Sequence, residues 1–436
     1  MESLTYGQLI RGNRNFRNLL AGQFISELGN WFNFIAGLGL VRLVSDASPV
    51  AAGIFFLCRM LPFALVSPIA GTFVDRFSRR QVMIFSDLAR VAVALSFLLV
   101  TSAQNLWIAY VATVALSTFG AFFEGAKNAA TPNLTGKEGL LSGTALMFST
   151  RFLLMAIGSA LGGWAAAIFG YEIAFLINAV SFLASAYTVW LIPEEATRDQ
   201  ETADRMSGKV EKPSFLTELR EGVHYAFTNR FALTILLMNV IWAVGGGAIN
   251  IIFERVGGVY FAGIEGWNPD IAVALLWTAG GAGLTLGMLI AHRTSIYLDR
   301  KSRHGWFIGW ALVIHGILFA AAGFMPTLFL FGVLTFVSRA IVGVEYAVQE
   351  TLFQRSLPDY IRGRISTLDR GAEMTVFASF SYLSGVAMLY ISPMTLTIIS
   401  GILSASAGIV WFVRHRGEDF SLGMRERDVV LVKDAG

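Results

Sequence analysis

Glu27, Arg59, Arg90, Arg151, Arg339 and Glu373 each stand near the middle of a long apolar stretch. Ionisable groups at such depth in a bilayer are costly, and they mark substrate pathways, proton relays or buried ion pairs. A carboxyl group beside a guanidinium has a definite chemistry. It is neutral when protonated, and its ionised form is stabilised by the neighbouring cation. A proton and a substrate can then compete for one charge, which is the basis of exchange across a membrane. Glu27 is the only carboxylate at midplane depth in the first half of the chain. Two roles are open to it: a proton or substrate site, or a buried salt bridge with Arg59 or Arg151. Arg339 is expected to form a structural or gating pair with Glu345 or Glu373. Asp87 and Arg90, at i, i+3 spacing, are expected to pair with each other or with a nearby span. Asp369, Arg370 and Glu345 lie shallower.

The elements that must position these charges are membrane spans. Of 436 residues, 14% are charged and 55% hydrophobic, where about 25% charged is usual for a soluble domain. The mean hydropathy is +0.61. A soluble fold could not cover its surface with so few charges, and disorder requires low hydrophobicity. A net charge of +3 gives no support to a nucleic-acid partner. The single cysteine, Cys58, excludes an intramolecular disulfide framework and a cysteine metal cluster. No His-Glu-x-x-His run, Cys/His metal spacing or phosphate-binding glycine loop is present. No metal, cofactor or ATP is therefore expected, and no clustered acid, base or nucleophile set suggests an enzyme.

A spanning helix needs about 20 mostly apolar residues. Twelve stretches qualify, near 17–42, 50–74, 81–101, 105–127, 141–168, 171–192, 230–253, 270–292, 305–323, 327–350, 364–390 and 393–413. The expected fold class is an all-α membrane protein, with twelve transmembrane helices in two pseudo-symmetric six-helix bundles. The expected domains are an N-terminal bundle (1–192), a linker (193–229), a C-terminal bundle (230–413) and a tail (414–436). In the linker, Phe215, Leu219, Val223 and Phe227 form one apolar face of a short helix at the membrane surface, read as a packing strut. Lys and Arg concentrate in the loops and termini of one side, and only Arg42 and Arg255 lie in loops of the other. That bias places both termini in the cytoplasm. A 6+6 layout is the sign of a transporter built from repeats, with its site at the interface between halves.

Between the second and third stretches stands Gly71-Thr-Phe-Val-Asp75-Arg76-Phe-Ser-Arg79-Arg80. This resembles the signature loop of the major facilitator superfamily, G-x-x-x-D-R-x-x-R-R. Glycine suits a tight turn with close helix approach. Asp75 and the arginines can form a charge network that holds one conformation of the two halves. The resemblance implies Glu124, at the inside end of span four, as the acidic partner of that network. The run from Asn15 to Gly29, the segment Thr131-Pro132-Asn133-Leu134 and the segment from Gln354 to Arg364 resemble one branch of the family, exporters similar to macrolide-efflux and enterobactin-efflux proteins. In span five, Gly158-Ser159-Ala-Leu-Gly162-Gly163 is similar to the family's antiporter motif, with Ser159 where proline is expected. Its glycines read either as a packing face against a neighbour of the other half or as an export hinge.

The resemblance implies that helices 1, 2, 4, 5, 7, 8, 10 and 11 line a central cavity. Glu27, Arg59, Arg151, Arg339 and Glu373 are then placed to face it, whereas His315 faces the bundle exterior. Trp31, Phe34, Phe56, Phe63, Phe148 and Trp242 lie on the same spans and could form a greasy pocket. The function expected is a secondary exporter of a hydrophobic or amphipathic small molecule (a drug or a siderophore-like compound) in exchange for protons. A lipid or lysophospholipid flippase on the same fold is the alternative, with a non-transporting scaffold or sensor behind it. The expected partners are the substrate, protons and the bilayer of an inner membrane, with no nucleic acid, and the protein is expected to be a monomer.

Overall fold

The computed structural model describes residues 4–74, 77–197, 215–301 and 303–415. Asp75 and Arg76 of the signature loop, linker residues 198–214 and the tail from 416 lie outside the described residues. Among the described residues twelve helices of spanning length follow one another and no strand occurs. Ten are also apolar enough to cross a membrane by composition alone. The first, Arg14–Val44, and the eleventh, Asp359–Ala387, are not among the ten; they carry Arg17, Glu27 and Arg42, and Arg362, Arg364, Asp369, Arg370 and Glu373. Large apolar side chains remain on the outer faces of the helices, with Leu289 71% and Phe329 74% exposed. Such faces suit lipid rather than water. The chain is a multi-pass membrane protein.

Local chemistry sets the helix ends. Asn13 caps the first span, its Oδ1 accepting from Phe16 N at 2.9 Å. Ser78 and Thr327 cap the third and tenth in the same way. The fourth span runs nine residues past the expected end, so Thr131-Pro132-Asn133-Leu134 is helical rather than a loop. It is parted from the fifth only at Gly136, where φ is 65°, a conformation that costs glycine nothing. The seventh helix, Arg230–Arg255, continues through a π-helical turn, Val256–Phe261.

The chain divides into two compact units. One comprises Met1–Lys212, Phe253–Thr278 and Ser381–Leu389, and the other Pro213–Ile252, Ala279–Phe380 and Tyr390–Gly436. The first unit is thus the N-terminal bundle together with end segments of spans seven, eight and eleven. Part of its core is built on Phe16, Leu19, Met83, Phe123 and Val189. In the second unit, Trp411, Ile308, Leu312, Val348 and Phe353 share one core, and Trp411 Nε1 donates to Gly305 O at 2.7 Å. Spans eight and ten cross there at glycines: a Cβ on Gly287 would lie 2.2 Å from Ala340 O.

One expectation requires correction: His315 does not face the exterior. It is buried, with Nδ1 2.6 Å from Ser338 Oγ. It shares its helix face with Ala311, Leu312, Gly316 and Phe319, the packed face, whereas Trp306, Trp310, Ile314 and Ile317 point outward. In the linker, the helix Phe215–Thr228 forms as expected; Phe227 is 71% exposed on it, while Gly222 and Ala226 are buried. Small residues let this helix lie close on span eleven, where Glu221 pairs with Arg364.

Candidate functional site

Four charged groups meet at the end of the first span remote from the N-terminus. The Arg42 guanidinium pairs with the Asp270 carboxylate through Nη2 and lies 3.5 Å from Glu254 Oε1 through Nη1. Tyr171 OH donates to Asp270 Oδ2 at 3.1 Å. Arg255 approaches Glu254 Oε2 at 4.0 Å and donates to the carbonyl of Ala47. That carbonyl belongs to a turn in which Asp46 and Ala47 have φ of 51° and 53°, uncommon for residues other than glycine. The cluster joins spans one, six, seven and eight, and it is nearly dry: the Glu254 side chain is 1% exposed and that of Arg42 9%. Aromatic rings pack within the same unit, with Trp277 at 5.7 Å from Trp31, 5.1 Å from Phe34 and 5.3 Å from Phe253.

The antiporter-like stretch of span five belongs to the same end. A Cβ on Gly158 would meet Trp31, and one on Gly162 the backbone of span one. At Gly163 it would lie 2.2 Å from Ala274 Cβ and 2.9 Å from Asp270 O on span eight. Ser159 Oγ is 3.2 Å from Thr278 Oγ1. Span five therefore touches span eight with backbone nearly against backbone.

The candidate cavity residues distribute differently. Glu27 is half-buried and accepts from Asn30 Nδ2 at 3.5 Å. Among the described residues neither Arg59 nor Arg151 forms an ion pair with it. Arg59 sits 4.5 Å over the Phe34 ring, and Arg151 is exposed. Such a cation over an aromatic face is worth about 0.5–2 kcal/mol. Asp87 and Arg90 do pair, buried, with Arg90 also over Phe123 and Phe182. Of the expected greasy pocket, Trp31, Phe34 and Phe56 come together, whereas Phe148 is exposed and Trp242 packs with Phe377 in the other unit.

In the second unit, Arg339 and Glu345 are buried on one helix but form no ion pair with each other, and Arg339 forms none with Glu373, among the described residues. Asn239 Nδ2 donates to both oxygens of Asp369, at 3.1 and 2.9 Å, and its Oδ1 accepts from Gln349 Nε2 at 2.8 Å. Glu345 and Glu373 line a small cavity beside this chain of amides.

The described part of the signature loop binds carbonyls. Arg79 Nη1 donates to Ala129 O at 3.0 Å and Thr197 O at 2.9 Å, and Arg80 Nη2 to Trp190 O at 2.6 Å. The bonds to Trp190 and Thr197 satisfy carbonyls at and beyond the end of span six, and the bond to Ala129 ties the loop to the body of span four. Glu124 pairs with Lys127 at 2.6 Å. The close approach expected at Gly71 is not made, since a Cβ there would meet nothing within 4 Å.

Sequence reasoning passed over Arg42, Glu254, Asp270 and Tyr171 as a group. The available signal was that Arg42 and Arg255 are the two basic residues the sequence assigns to the loops of their side.

Comparisons with known proteins agree with this architecture. The family model described as Major Facilitator Superfamily matches residues 19–368. The chain is 26% identical to an uncharacterized MFS-type transporter of Bacillus subtilis, YfiS, over 93% of this chain and 94% of that one. It is 26% identical to macrolide efflux protein A of Enterococcus faecalis, over 72% of this chain and 93% of that one. The crystal structure of the nucleoside transporter NupG superposes with a TM-score of 0.66 at 13% identity, covering 93% of this chain and all of that one.

Proposed function

Because this chain belongs to the Major Facilitator Superfamily, we propose that it exports a hydrophobic or amphipathic small molecule by proton antiport, through alternating access. The observation that carries the reading is the buried cluster of Arg42, Glu254 and Asp270. It ties the end of span one to spans seven and eight, which belong to the other sequence half. An ionic latch of this kind holds one state of a cycle and can be exchanged for hydration when it opens. Export rather than uptake follows the relatives named for macrolide efflux.

The halves are residues 1–192 and 230–413, joined by the 193–229 linker. Both termini face the cytoplasm, the latch lies on the outer side of an inner membrane, and a monomer suffices. Glu27, Arg59, Arg151, Arg339 and Glu373 face the substrate and proton path. Asp75 and Arg76, with Gly71, Arg79, Arg80 and Glu124, form the inner network that holds the opposite state. Gly158, Gly162 and Gly163 let span five close on its neighbours.

Three tests follow. Purified protein in liposomes with an acid lumen should accumulate a radiolabelled macrolide, and a protonophore should abolish the accumulation. Accumulation of a lysophospholipid instead would establish the flippase reading, and accumulation of neither would remove the export reading. Orientation is tested with Ser207→Cys in a Cys58→Ser background, which should resist an impermeant thiol reagent in intact cells. Rapid labelling would reverse the topology. Asp75→Asn should slow transport roughly tenfold, equivalent to about 1.4 kcal/mol, with the folded amount unchanged. Transport at the wild-type rate would deny the inner network its role.

A further inference from the structure

We infer that Glu345 and Glu373 share one exchangeable proton in a water-sized cavity of the second half, and that this is the proton exchanged for substrate. The inference rests on the antiport reading and gives it a location.

The cavity has a volume of about 20 Å³ and is lined by side chains of spans seven, nine, ten and eleven. That is room for about one water molecule. Met238, Leu312 and Val342 supply apolar wall, and Asn239, Trp242, Tyr346, Gln349, Glu345 and Glu373 supply the polar groups. Glu345 is 3% exposed, and its Oε1 is buried with no hydrogen-bond partner. The buried indole Nε1 of Trp242 also lacks one. A water in the cavity can accept from the indole and donate to the carboxyl, which accounts for both orphans together.

The charged groups around Glu345 do not neutralise it. From span seven come only the neutral Asn239 and Trp242. From span nine, His315 is engaged by Ser338. On span ten itself, Arg339 forms no ion pair with Glu345, and Tyr346 and Gln349 are uncharged. On span eleven, Asp369 is held by Asn239, and Arg370 approaches Glu350 of span ten at 4.0 Å. Glu345 therefore has no cation of its own, and the cation nearest Glu373, Arg370, is shared with Glu350 and Tyr346. Two like charges in such a site cannot both persist, and one proton held between them removes the conflict. The pair titrates as a unit. A metal ion is a poorer occupant: no group of three His, Cys, Asp or Glu able to hold one occurs among the described residues. Loss of the proton leaves an uncompensated charge at the meeting of spans seven, ten and eleven. That favours whichever conformation lets water reach it, and so links protonation to the conformational cycle.

The test needs no known substrate. Detergent-purified full-length protein is titrated between alkaline and acid pH while proton uptake and the infrared band of protonated carboxyl groups are recorded. Wild type should take up one proton more than Glu345→Gln, and the corresponding band should be missing from the variant. Glu373→Gln should likewise take up one proton fewer, and the double variant should lose both titration steps of the pair. This keeps the test open if one variant fails to fold. Unchanged proton uptake and an unchanged band in both variants would overturn the assignment. Displacement of the band by sodium chloride at constant pH would also overturn it, in favour of a sodium site. The antiport reading is checked separately, by gradient-driven macrolide accumulation in liposomes. A single proton site in wild type without gradient-driven transport would leave the site standing and remove antiport. Where wild type is gradient-driven, Glu345→Gln should reduce that accumulation at least tenfold.

Discussion

Replacing Arg42 by alanine is expected to open the end of the protein that the Arg42 cluster holds, the outer end in the proposed orientation. The guanidinium lies between the carboxylates of Asp270 and Glu254, and the latter is 1% exposed. Its removal leaves two acids in a dry site with only Arg255, 4.0 Å from Glu254, as a neighbouring cation. Removing one partner of a buried pair costs about 3–5 kcal/mol. That cost falls on the closed state, because opening the latch hydrates both acids. The closed-to-open ratio should drop by more than about a hundredfold. A cysteine at Thr278, beside Trp277 and under the cluster, reports it. In a Cys58→Ser background, Thr278→Cys should react slowly with an impermeant thiol reagent applied outside, and adding Arg42→Ala should speed labelling at least tenfold. Transport should fall with it, since the cycle then lacks a stable closed outer state. Arg42→Lys should lie between the two, because the three donors of an ammonium radiate from one nitrogen and do not span the two acids as Nη1 and Nη2 of the guanidinium do. Unchanged labelling with normal folded yield would mean that the cluster is decoration on a contact held by other means.

Gly163→Val should have an effect of similar size by a different route. The Cβ position at Gly163 is 2.2 Å from Ala274 Cβ and 2.9 Å from the Asp270 carbonyl. Carbon atoms in contact need about 3.5–4.0 Å. The obstacle is partly backbone, so rotamer changes cannot relieve it, and spans five and eight must separate. The N-terminal bundle retains its own core of Phe16, Met83, Phe123 and Val189, so folded protein should remain in the membrane. Transport should drop about a hundredfold, and outside labelling of Thr278→Cys should rise as with Arg42→Ala. Gly120→Ala is the control. It too is a helical glycine, but a Cβ there meets nothing within 4 Å, and the change should be neutral or slightly stabilising through helix propensity. If Gly163→Val transports normally, the observed approach of spans five and eight is not part of the working cycle.

Much of the architecture was legible in the chain because apolar runs of spanning length leave little choice of element. The charged first and eleventh spans were found by the same test, since Glu27, Asp369 and Glu373 interrupt apolar runs without ending them. Helix ends were less legible. The apolar run of span four ends near residue 127, yet the helix continues to Gly136, where a backbone dihedral stops it. His315 was misplaced because the face of a buried helix is chosen by its neighbours, and span nine is apolar on every side. The latch could not be read at all. Arg42 and Asp270 are 228 residues apart, and nothing local to either marks the other. The cavity at Glu345 was hidden for the same reason: its orphaned carboxyl oxygen and indole come from spans ten and seven. The charges of the first half were identified as candidates, but their partners follow from helix rotation, which placed Arg59 over Phe34 rather than against Glu27.

The central claim is that the outer end must open and close for export to occur, and a reversible cross-link tests it most directly. Ser159 and Thr278 place their side-chain oxygens 3.2 Å apart across spans five and eight, so a Ser159→Cys/Thr278→Cys pair in a Cys58→Ser background can form a disulfide in the closed state. The measurement is the efflux of a radiolabelled macrolide from cells lacking other pumps, before oxidation, after oxidation and after reduction. The account predicts efflux from reduced cells, its loss in proportion to the cross-linked fraction, and its recovery with reductant. Undiminished efflux from fully cross-linked protein would contradict it.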